Sequence, residues 1–328
     1  MHALPRCAAT ALLLLAVPVD GKAQDYPARP VTIIVPLTAA GAPDILARII
    51  AQQLQARLGG SFVVENRAGG GTTIGSNAVA KAAPDGYTLL MATSSSLAIN
   101  VTLQKALPYD PLNDFVPLAA VAQSPFILLV NPTVPVKAVA ELIGYAKSNS
   151  DKLSFASAGN GTPHHLFAEM FLSMSGAKLP QARYRGSAPA LNDLIAGHVT
   201  VMFCDVPSSA AAIGAGTVRA LGVTTKSRLP GFPEVPPIAE AGLPGFEGAA
   251  WLMIAAPAKT PEPVARKLNA EINAILELPA TKEQLVKLNL TAMNIPAIAD
   301  MRDFVRSEIG RWGEVVRRAG IAGSEQPE

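Results

Sequence analysis

The sequence SFVVENRAGGGTTIGSNAVAKAAPDGYTLL, residues 61–90, encodes an apolar strand, a glycine turn, a helical segment and a second strand within thirty residues. This order is typical of a βαβ unit, which builds a parallel sheet. In open α/β sheets, the loops at the carboxyl ends of strands expose backbone N–H groups and helix N-termini, which attract anions. We therefore expect the glycine turn, and similar loops at residues 159–162 and 186–189, to lie where a ligand binds.

The same alternation of strand and helix patterns continues along the chain. Apolar, β-branched runs predict strands at residues 31–35, 62–65, 88–91, 126–130, 153–156, 199–203, 220–224 and 251–256. Apolar residues at helical spacing predict helices at residues 44–58, 139–147, 164–174, 190–196, 263–276 and 301–318. Strands that alternate with helices predict an α/β fold of mostly parallel sheets flanked by helices.

Two segments are predicted to cross between separate units. The strand pattern leaves the first unit near residues 122–132, and a loop rich in Gly and Pro returns near residues 242–257. We predict a discontinuous first domain, residues 24–124 and 252–328, and a second domain, residues 125–251. Two strands that join two lobes form a hinge, and hinged lobes close around ligands in the cleft between them.

The N-terminus, residues 1–23, has the pattern of a cleavable secretory signal peptide. Arg6 precedes an apolar run at residues 8–17, and Ala23 ends the small-residue region that suits cleavage. About ten apolar residues are too few to span a bilayer, which needs about twenty. Cys7 precedes the run, whereas the lipid-bearing cysteine of a lipoprotein follows it. We expect a soluble protein exported to the periplasm.

Composition narrows the function further. The formal net charge is only +2, basic residues are dispersed, and the chain has five Tyr and two Trp, so nothing favours nucleic-acid binding. After cleavage, Cys204 is the one remaining cysteine, so an internal disulfide is excluded and the fold rests on its core. We predict a monomer that needs no cofactor.

The loop at residues 159–162 has the strongest local signal for an anion. It follows a predicted strand and opens a predicted helix, with Thr162 at a position suited to the N-cap and Pro163 at the first helical position. Gly159 and Gly161 allow close backbone approach, so the free N–H groups of the first turn can hold a carboxylate. The alternative is an ordinary helix start that binds nothing.

The glycine run does not match a nucleotide motif. A P-loop needs Gly, four residues, then Gly-Lys-Ser/Thr, but Gly70 and Gly75 are followed by Ser76 and Asn77. The lysine that contacts phosphate is missing, and so is the complete G-x-G-x-x-G pattern. A structural turn that packs closely against a helix is the better interpretation.

No catalytic or metal-binding pattern is complete. His164 and His165 are adjacent, so on a helix they point about 100° apart and cannot clamp one metal ion. Cys204 is followed by Asp205, whose charge raises the pKa of a thiol instead of activating it. No Gly-x-Ser-x-Gly elbow occurs. We predict that the protein is not an enzyme and holds no metal.

Three polar features could contact a ligand. His165 lies beside the predicted anion loop, although a polar residue at a helix start is the simpler interpretation. The hydroxyl-rich residues 93–96 follow a strand and can donate hydrogen bonds. Asp205 either receives an ammonium or hydroxyl group of the ligand or caps the helix that follows Pro207.

Six motifs together resemble one known family. They are VVENRAGGGTTIG (63–75), AAPDGYTLL (82–90), LPYDPLNDFVPLA (107–119), SAGNGTPHH (157–165), YRGSAPALNDLIAGHVTVMF (184–203) and EAGLPGF (240–246). In this order, from Tyr26 almost to the C-terminus, they are similar to the periplasmic Bug/TctC family, the substrate-binding proteins of tripartite tricarboxylate transporters. The resemblance implies a two-lobed class II periplasmic-binding fold, a small carboxylate ligand, two membrane permease partners and no enzymatic activity.

The resemblance also implies which loops contact the ligand, largely through backbone N–H groups and bridging waters. Together with His165, the predicted ligand-binding residues are Leu37, Thr38, Ala39, Ala40, Gly41, Ala42, Pro43, Asp44, Thr93, Ser94, Ser95, Gly159, Asn160, Gly161, Thr162, Gly186, Ser187 and Asp205.

The first loop departs from the family pattern. Where the family has Pro-Phe-Pro-Pro-Gly-Gly-Ser-Thr-Asp, residues 36–44 read PLTAAGAPD, so Ala40, Ala42 and Pro43 replace Gly, Ser and Thr. Two hydroxyls and one N–H donor are lost. The altered loop therefore favours a less polar or aromatic acid as an alternative to the di- or tricarboxylate that the resemblance implies. Two other functions stay open: a periplasmic carboxylate sensor with a membrane signalling partner, and, more distantly, an exported hydrolase.

Overall fold

The computed structural model describes residues 26–324, and the predicted signal peptide lies outside them. Two β-sheets with helices around them form a two-lobed α/β fold. None of the described helices combines the length and the apolar character that a membrane span requires.

The first sheet has six strands in the order β11-β4-β10-β3-β1-β2. Their bounds are β1 Val31–Val35, β2 Phe62–Asn66, β3 Thr88–Thr93, β4 Phe115–Ser124, β10 Ala250–Pro257 and β11 Thr291–Ala292. Strand β1 pairs in parallel with both β2 and β3, which is the βαβ arrangement predicted from residues 61–90.

The second sheet has five strands in the order β7-β6-β8-β5-β9. Their bounds are β5 Phe126–Val130, β6 Phe155–Ser157, β7 Gln181–Arg183, β8 Val201–Asp205 and β9 Arg219–Val223. Strand β6 pairs in parallel with β7 and β8, so the loops that follow these three strands leave the same edge of the sheet.

Neither sheet is purely parallel. Strand β10 runs antiparallel between β3 and β4, and β5 runs antiparallel between β8 and β9. Each of these strands enters its sheet from the other lobe, which reverses its direction relative to its neighbours. The remaining long strands of each sheet share one direction, so their carboxyl ends meet at one edge.

Ten helices surround the sheets in the described part of the chain. Their bounds are α1 Ala42–Leu58, α2 Thr73–Ala80, α3 Asn100–Leu103, α4 Val139–Ser148, α5 Pro163–Ser175, α6 Ser187–Ala196, α7 Val206–Gly214, α8 Glu262–Glu277, α9 Pro279–Lys287 and α10 Ile298–Arg318. A π-helical turn at Ser95–Ile99 precedes α3.

The chain passes between the sheets twice. Strand β4 ends at Ser124 and β5 begins at Phe126, with Pro125 between them, and residues 224–249 connect β9 to β10. We propose that each sheet is the centre of one lobe, with the boundaries at residues 124/125 and 251/252, and that these two connections form the hinge.

Buried apolar side chains stabilise each lobe from within. One cluster packs α1 and α8 against the first sheet, and a second packs α6 and α7 against the second sheet. Helix α10 links the lobes, because Trp312 lies 6.0 Å from the ring of Phe167 in α5. Glu308 of α10 is buried, and its Oε2 accepts hydrogen bonds from the indoles of Trp312 and Trp251.

Candidate ligand-binding site

The first loop ends at the N-terminus of α1, where the two lobes touch. Gly41 is the N-cap, and no side chain of its own caps the helix. The Ala42 N–H donates instead to Oδ1 of Asp205, 3.2 Å away at the end of β8 in the other lobe. A helix N-terminus favours negative charge. A carboxylate of the second lobe therefore occupies the start of α1.

Asp44 stabilises this loop from within. Its carboxylate accepts the Ala40 N–H at 3.0 Å and pairs with Arg48 at 2.9 Å. Burial would raise the pKa of Asp44, but the hydrogen bonds from Arg48 and Ala40 outweigh it and lower that pKa. Ala40 has a φ of +67°, in the left-handed region that an alanine rarely adopts.

Asp205 is the centre of a buried hydrogen-bond network. It caps α7, accepting the N–H of Ser208 at 3.2 Å and its hydroxyl at 2.6 Å. Its Oδ2 accepts the Ser187 hydroxyl at 2.7 Å and lies 3.5 Å from Nε2 of His164. Burial raises the pKa of Asp205, yet the bonds to His164, Ser187 and Ser208 lower it overall, so the group is an anion. Capping, one of the two predicted alternatives, is what this geometry shows.

Ser187, His164 and Asp205 are close together without forming a catalytic triad. In a triad the imidazole stands between the other two side chains and holds the carboxylate through Nδ1. Here the Ser187 hydroxyl donates directly to Asp205, and Nε2 of His164 contacts the Ser187 oxygen at 2.9 Å. Nδ1 of His164 has no partner among the described residues. The serine hydroxyl is directed to the carboxylate instead of the imidazole, so the Ser-His-Asp order of a triad is not formed.

His164, Cys204 and Asp205 offer three possible metal ligands within 4.8 Å of one another. Burial, followed by the charge of Asp205, raises the pKa of the Cys204 thiol well above its usual value. A thiol must lose its proton to bind a metal. Asp205 and His164 are already engaged with Ser187, so this arrangement fits a structural network better than a metal centre.

The hydroxyl-rich segment from Thr93 to Ser96, at the end of β3, places one unpartnered hydroxyl, that of Ser95, in the lining of a pocket. Thr93 bonds to the backbone and hydroxyl of Ser96, both at 3.2 Å. Ser94 and Ser95 are fully buried, and neither hydroxyl has a partner among the described residues. Thr93 and Ser95 line a small pocket of about 30 Å³ with Phe126, His164 and Asp205.

The loop at residues 159–162 leads into the predicted helix, but two of its hydrogen-bond donors already bond within the protein. Thr162 is the N-cap of α5, and its hydroxyl donates to the Gly159 carbonyl at 2.6 Å. The Gly161 N–H donates to Nδ1 of His165 at 3.2 Å. A methyl group on Gly161 would lie 2.2 Å from Oδ1 of Asn100 in the first lobe. His165 thus stabilises the loop by accepting the Gly161 N–H.

A larger cavity of about 220 Å³ lies beside the small pocket, and Leu37 lines both. We name it the arginine chamber: Gly69–Gly71 and Gln104 line it from the first lobe, and Gly159, Asn160, Arg183 and Arg185 line it from the second. A methyl group on Gly71 would lie 1.8 Å from the Asn160 carbonyl oxygen. The glycine run therefore permits close contact between the lobes.

The structure brings about half of the predicted site residues to these two cavities. Those that line the small pocket are Leu37, Thr38, Gly41, Ala42, Pro43, Thr93, Ser95, Ser187 and Asp205, and those that line the chamber are Leu37, Gly159 and Asn160. Lining neither are Ala39, Ala40, Asp44, Ser94, Gly161, Thr162, His165 and Gly186. The sequence reasoning did not select Phe126, His164, Gln104, Arg183 or Arg185.

Comparison with known proteins identifies the family. Residues 46–321 match the model of the tripartite tricarboxylate transporter family receptor. Protein BugT of Bordetella pertussis is 38% identical over 310 residues, 93% of each chain. The solved structure of R. palustris Rpa4515 with adipate has a TM-score of 0.87 and 38% identity, covering 91% of this chain and 99% of its own.

The structure of the periplasmic binding protein BugD is equally similar in shape. It has a TM-score of 0.87 and 34% identity, and it covers 90% of this chain and 99% of its own. These matches confirm the predicted two-lobed periplasmic-binding fold; both sheets are mixed, with β5, β10 and β11 antiparallel to their neighbours. The chain belongs to the tripartite tricarboxylate transporter family of receptors.

Proposed function

We propose that the protein is a periplasmic receptor that captures a small carboxylate between its lobes for delivery to the membrane subunits of a tripartite tricarboxylate-type transporter. The observation that carries this proposal is the contact between the Ala42 N–H and the Asp205 carboxylate across the cleft. It supports the view that the N-terminus of α1 binds a carboxylate where the lobes meet.

Ligand entry requires the lobes to separate. Opening breaks the Ala42–Asp205 bond and the 3.3 Å bond from the Ser208 hydroxyl to the Ala40 carbonyl. The Ala42 N–H is then free for a ligand carboxylate, while Asp205 keeps its bonds to Ser187 and Ser208. Residues 159–162 enclose the ligand on closure. Only a higher ligand affinity of the closed form can drive that closure.

The relatives support the ligand class and the location. The R. palustris structure holds adipate, a dicarboxylate, and BugD is named a periplasmic binding protein. The signal-like residues 1–23 agree with export. We extend the ligand class to small di- and tricarboxylates and aromatic acids, because Ala40, Ala42 and Pro43 leave the first loop with fewer polar donors than the family pattern.

Thermal unfolding of residues 24–328 with a panel of acids tests this function. Adipate, malate, citrate, benzoate and glutamate are each added at matched ionic strength, with adipamide as the uncharged control. A ligand at one hundred times its Kd stabilises the folded state by about 2.7 kcal/mol, which raises the unfolding midpoint. A rise with one class of acid and none with adipamide is expected. No rise with any acid would contradict the proposed function.

A further inference from the structure

His165 lies beside the loop at residues 159–162 and lines neither cavity of the cleft. It is the third residue of α5, and only 4% of it is exposed. Its Nδ1 accepts the Gly161 N–H at 3.2 Å. A neutral imidazole carries a proton on one of its two nitrogens, so a ring that accepts at Nδ1 is protonated at Nε2. The bond to Gly161 therefore requires a neutral ring in this one tautomer.

Gly161 is also a point of contact between the lobes. Its φ of +69° lies in the left-handed region that favours glycine. A methyl group on Gly161 would lie 2.2 Å from Oδ1 of Asn100 and 2.7 Å from Cδ2 of Leu103, both in α3 of the first lobe. The loop thus has little room to move toward that lobe. By holding Gly161 in place, His165 determines how closely the two lobes approach each other here.

A proton on Nδ1 of His165 would turn this acceptor into a donor. The N–H of the ring and the N–H of Gly161 would then face each other, so the bond would break and the loop would have to move. The N-terminal turn of α5 also disfavours a positive charge. Histidine is the side chain that ordinarily changes its charge between about pH 5 and 8. Acidification within this range therefore removes the support of Gly161.

The charged groups near His165 belong to α5 and β7. Oε1 of Glu169, one turn further along α5, lies 3.7 Å from Nε2 of His165. Both residues line another cavity, of about 410 Å³, together with Arg183 of β7, and the rest of its described lining is uncharged. A protonated ring would pair with Glu169, which balances its charge outside the cleft. The change that reaches the cleft is therefore the loss of the bond to Gly161.

We propose that His165 is a positioning residue that holds the loop at residues 159–162 ready for ligand capture only while its imidazole is neutral, so that the receptor loses ligand affinity in acid. This inference rests on the proposed function, in which that loop encloses the ligand. A proton and the Gly161 N–H compete for Nδ1 of His165. Ligand affinity is therefore highest where the ring is neutral, and it falls as the pH falls and the ring takes up a proton.

Titration calorimetry with adipate at about pH 7.5 and about pH 5.5 tests the inference. The proteins are the unsubstituted chain, His165→Gln, His165→Ala and the control His198→Gln, which removes an exposed histidine whose Nδ1 lies 3.3 Å from Asp193. A glutamine at the third helical position can accept the Gly161 N–H through Oε1, and it does not titrate. Adipate takes up protons equally in every sample, so the differences between the chains report on His165.

Between these pH values, the unsubstituted chain and His198→Gln should lose about fivefold more adipate affinity than His165→Gln does. His165→Ala should bind weakly at both. An equal loss in His165→Gln and the unsubstituted chain, or an unsubstituted affinity that rises toward pH 5.5, would overturn the inference and leave the proposed function standing. Failure of every carboxylate to bind would overturn both.

Nitrogen-15 NMR of the imidazole rings checks the tautomer without ligand and without any substitution. At about pH 7.5 the His165 ring should be protonated at Nε2 and unprotonated at Nδ1. A ring that carries its proton on Nδ1 at that pH would overturn the inference whatever the ligand does. Thermal unfolding at the same pH checks that each substituted chain is folded.

Discussion

Gly186→Ala places a wedge in the cleft without straining either lobe. Gly186 has a φ of 171°, an extended backbone that any residue adopts. A methyl group there would lie 1.7 Å from Oγ1 and 2.8 Å from Cβ of Thr38, which belongs to the first loop of the other lobe. Rotating Thr38 moves Oγ1 but leaves its Cβ in place. The distance between the two Cβ atoms must rise from 2.8 Å to an ordinary contact of about 3.4 Å, so the lobes must stay at least about 0.6 Å further apart than in this structure.

That displacement weakens the hydrogen bond that joins the lobes beside α1 when ligand is bound. It runs from the Ser208 hydroxyl to the Ala40 carbonyl at 3.3 Å and would exceed 3.5 Å. The Ala42–Asp205 bond adds nothing to this loss, because the ligand carboxylate takes its place at the Ala42 N–H. A neutral hydrogen bond contributes about 0.5–1.5 kcal/mol. Destabilising the closed form by that amount weakens ligand binding about 2- to 12-fold.

Titration calorimetry with adipate measures this loss. The control is Gly144→Ala in α4 of the same lobe, where an added methyl group meets nothing within 4 Å. Thr38→Gly removes the side chain that the wedge strikes, so we expect the double variant to regain most of the adipate affinity that Gly186→Ala alone has lost. Unchanged adipate affinity in Gly186→Ala, with the fold intact, would refute the idea that the ligand binds a closed form in which these residues meet.

Three further outcomes follow from the structure. Ala40→Gly should raise the free energy of unfolding by about 1 kcal/mol, since the left-handed φ of +67° costs an alanine about 1–2 kcal/mol; urea unfolding measures it, and a loss of stability would contradict it. The lowered pKa of Asp205 stabilises the fold above the ordinary aspartate pKa of about 3.9, and this stabilisation is lost as the pH falls below that value. Asp205→Asn should therefore flatten the fall in urea midpoint between about pH 5 and 3, and an equally steep fall would count against it. Glu308→Ala should cost at least about 2 kcal/mol and shift tryptophan emission, because the indoles of Trp251 and Trp312 lose their acceptor; an unchanged spectrum would contradict that contact.

Local patterns were enough to predict most of the fold. The strands β1 and β5 begin and end where the apolar runs do, and helices α1, α4, α8 and α10 lie within three residues of their predicted bounds. The two strands are continuous apolar runs, and the helices bury an apolar face that is visible in the sequence as a period of 3.6.

The elements that were missed lack such a period. Strand β4 was not predicted, and its Pro117 is a residue that normally argues against a central strand. In the structure, the pairing with β10 shifts register between Ile254 and Ala255, and Pro117 pairs with Ala255 at that irregularity. Strands β7 and β11 have only three and two residues, too few to show any pattern.

Predicting the site from the sequence was harder, because its contacts depend on how the two lobes face each other. The sequence shows that residues 164 and 165 open a helix. Only the packing of α5 decides that His164 lines the small pocket and that His165 bonds to the Gly161 N–H. Arg185 and Gln104 are 81 positions apart in the chain and belong to different lobes. No local pattern can place them in one chamber.

The most direct test of the central claim is a crystal structure of residues 24–328 grown with adipate. We predict density for one diacid between the lobes, with one carboxylate at the Ala42 N–H. Adipate bound outside the cleft, or a cleft that stays free of it at saturating concentration, would contradict the account.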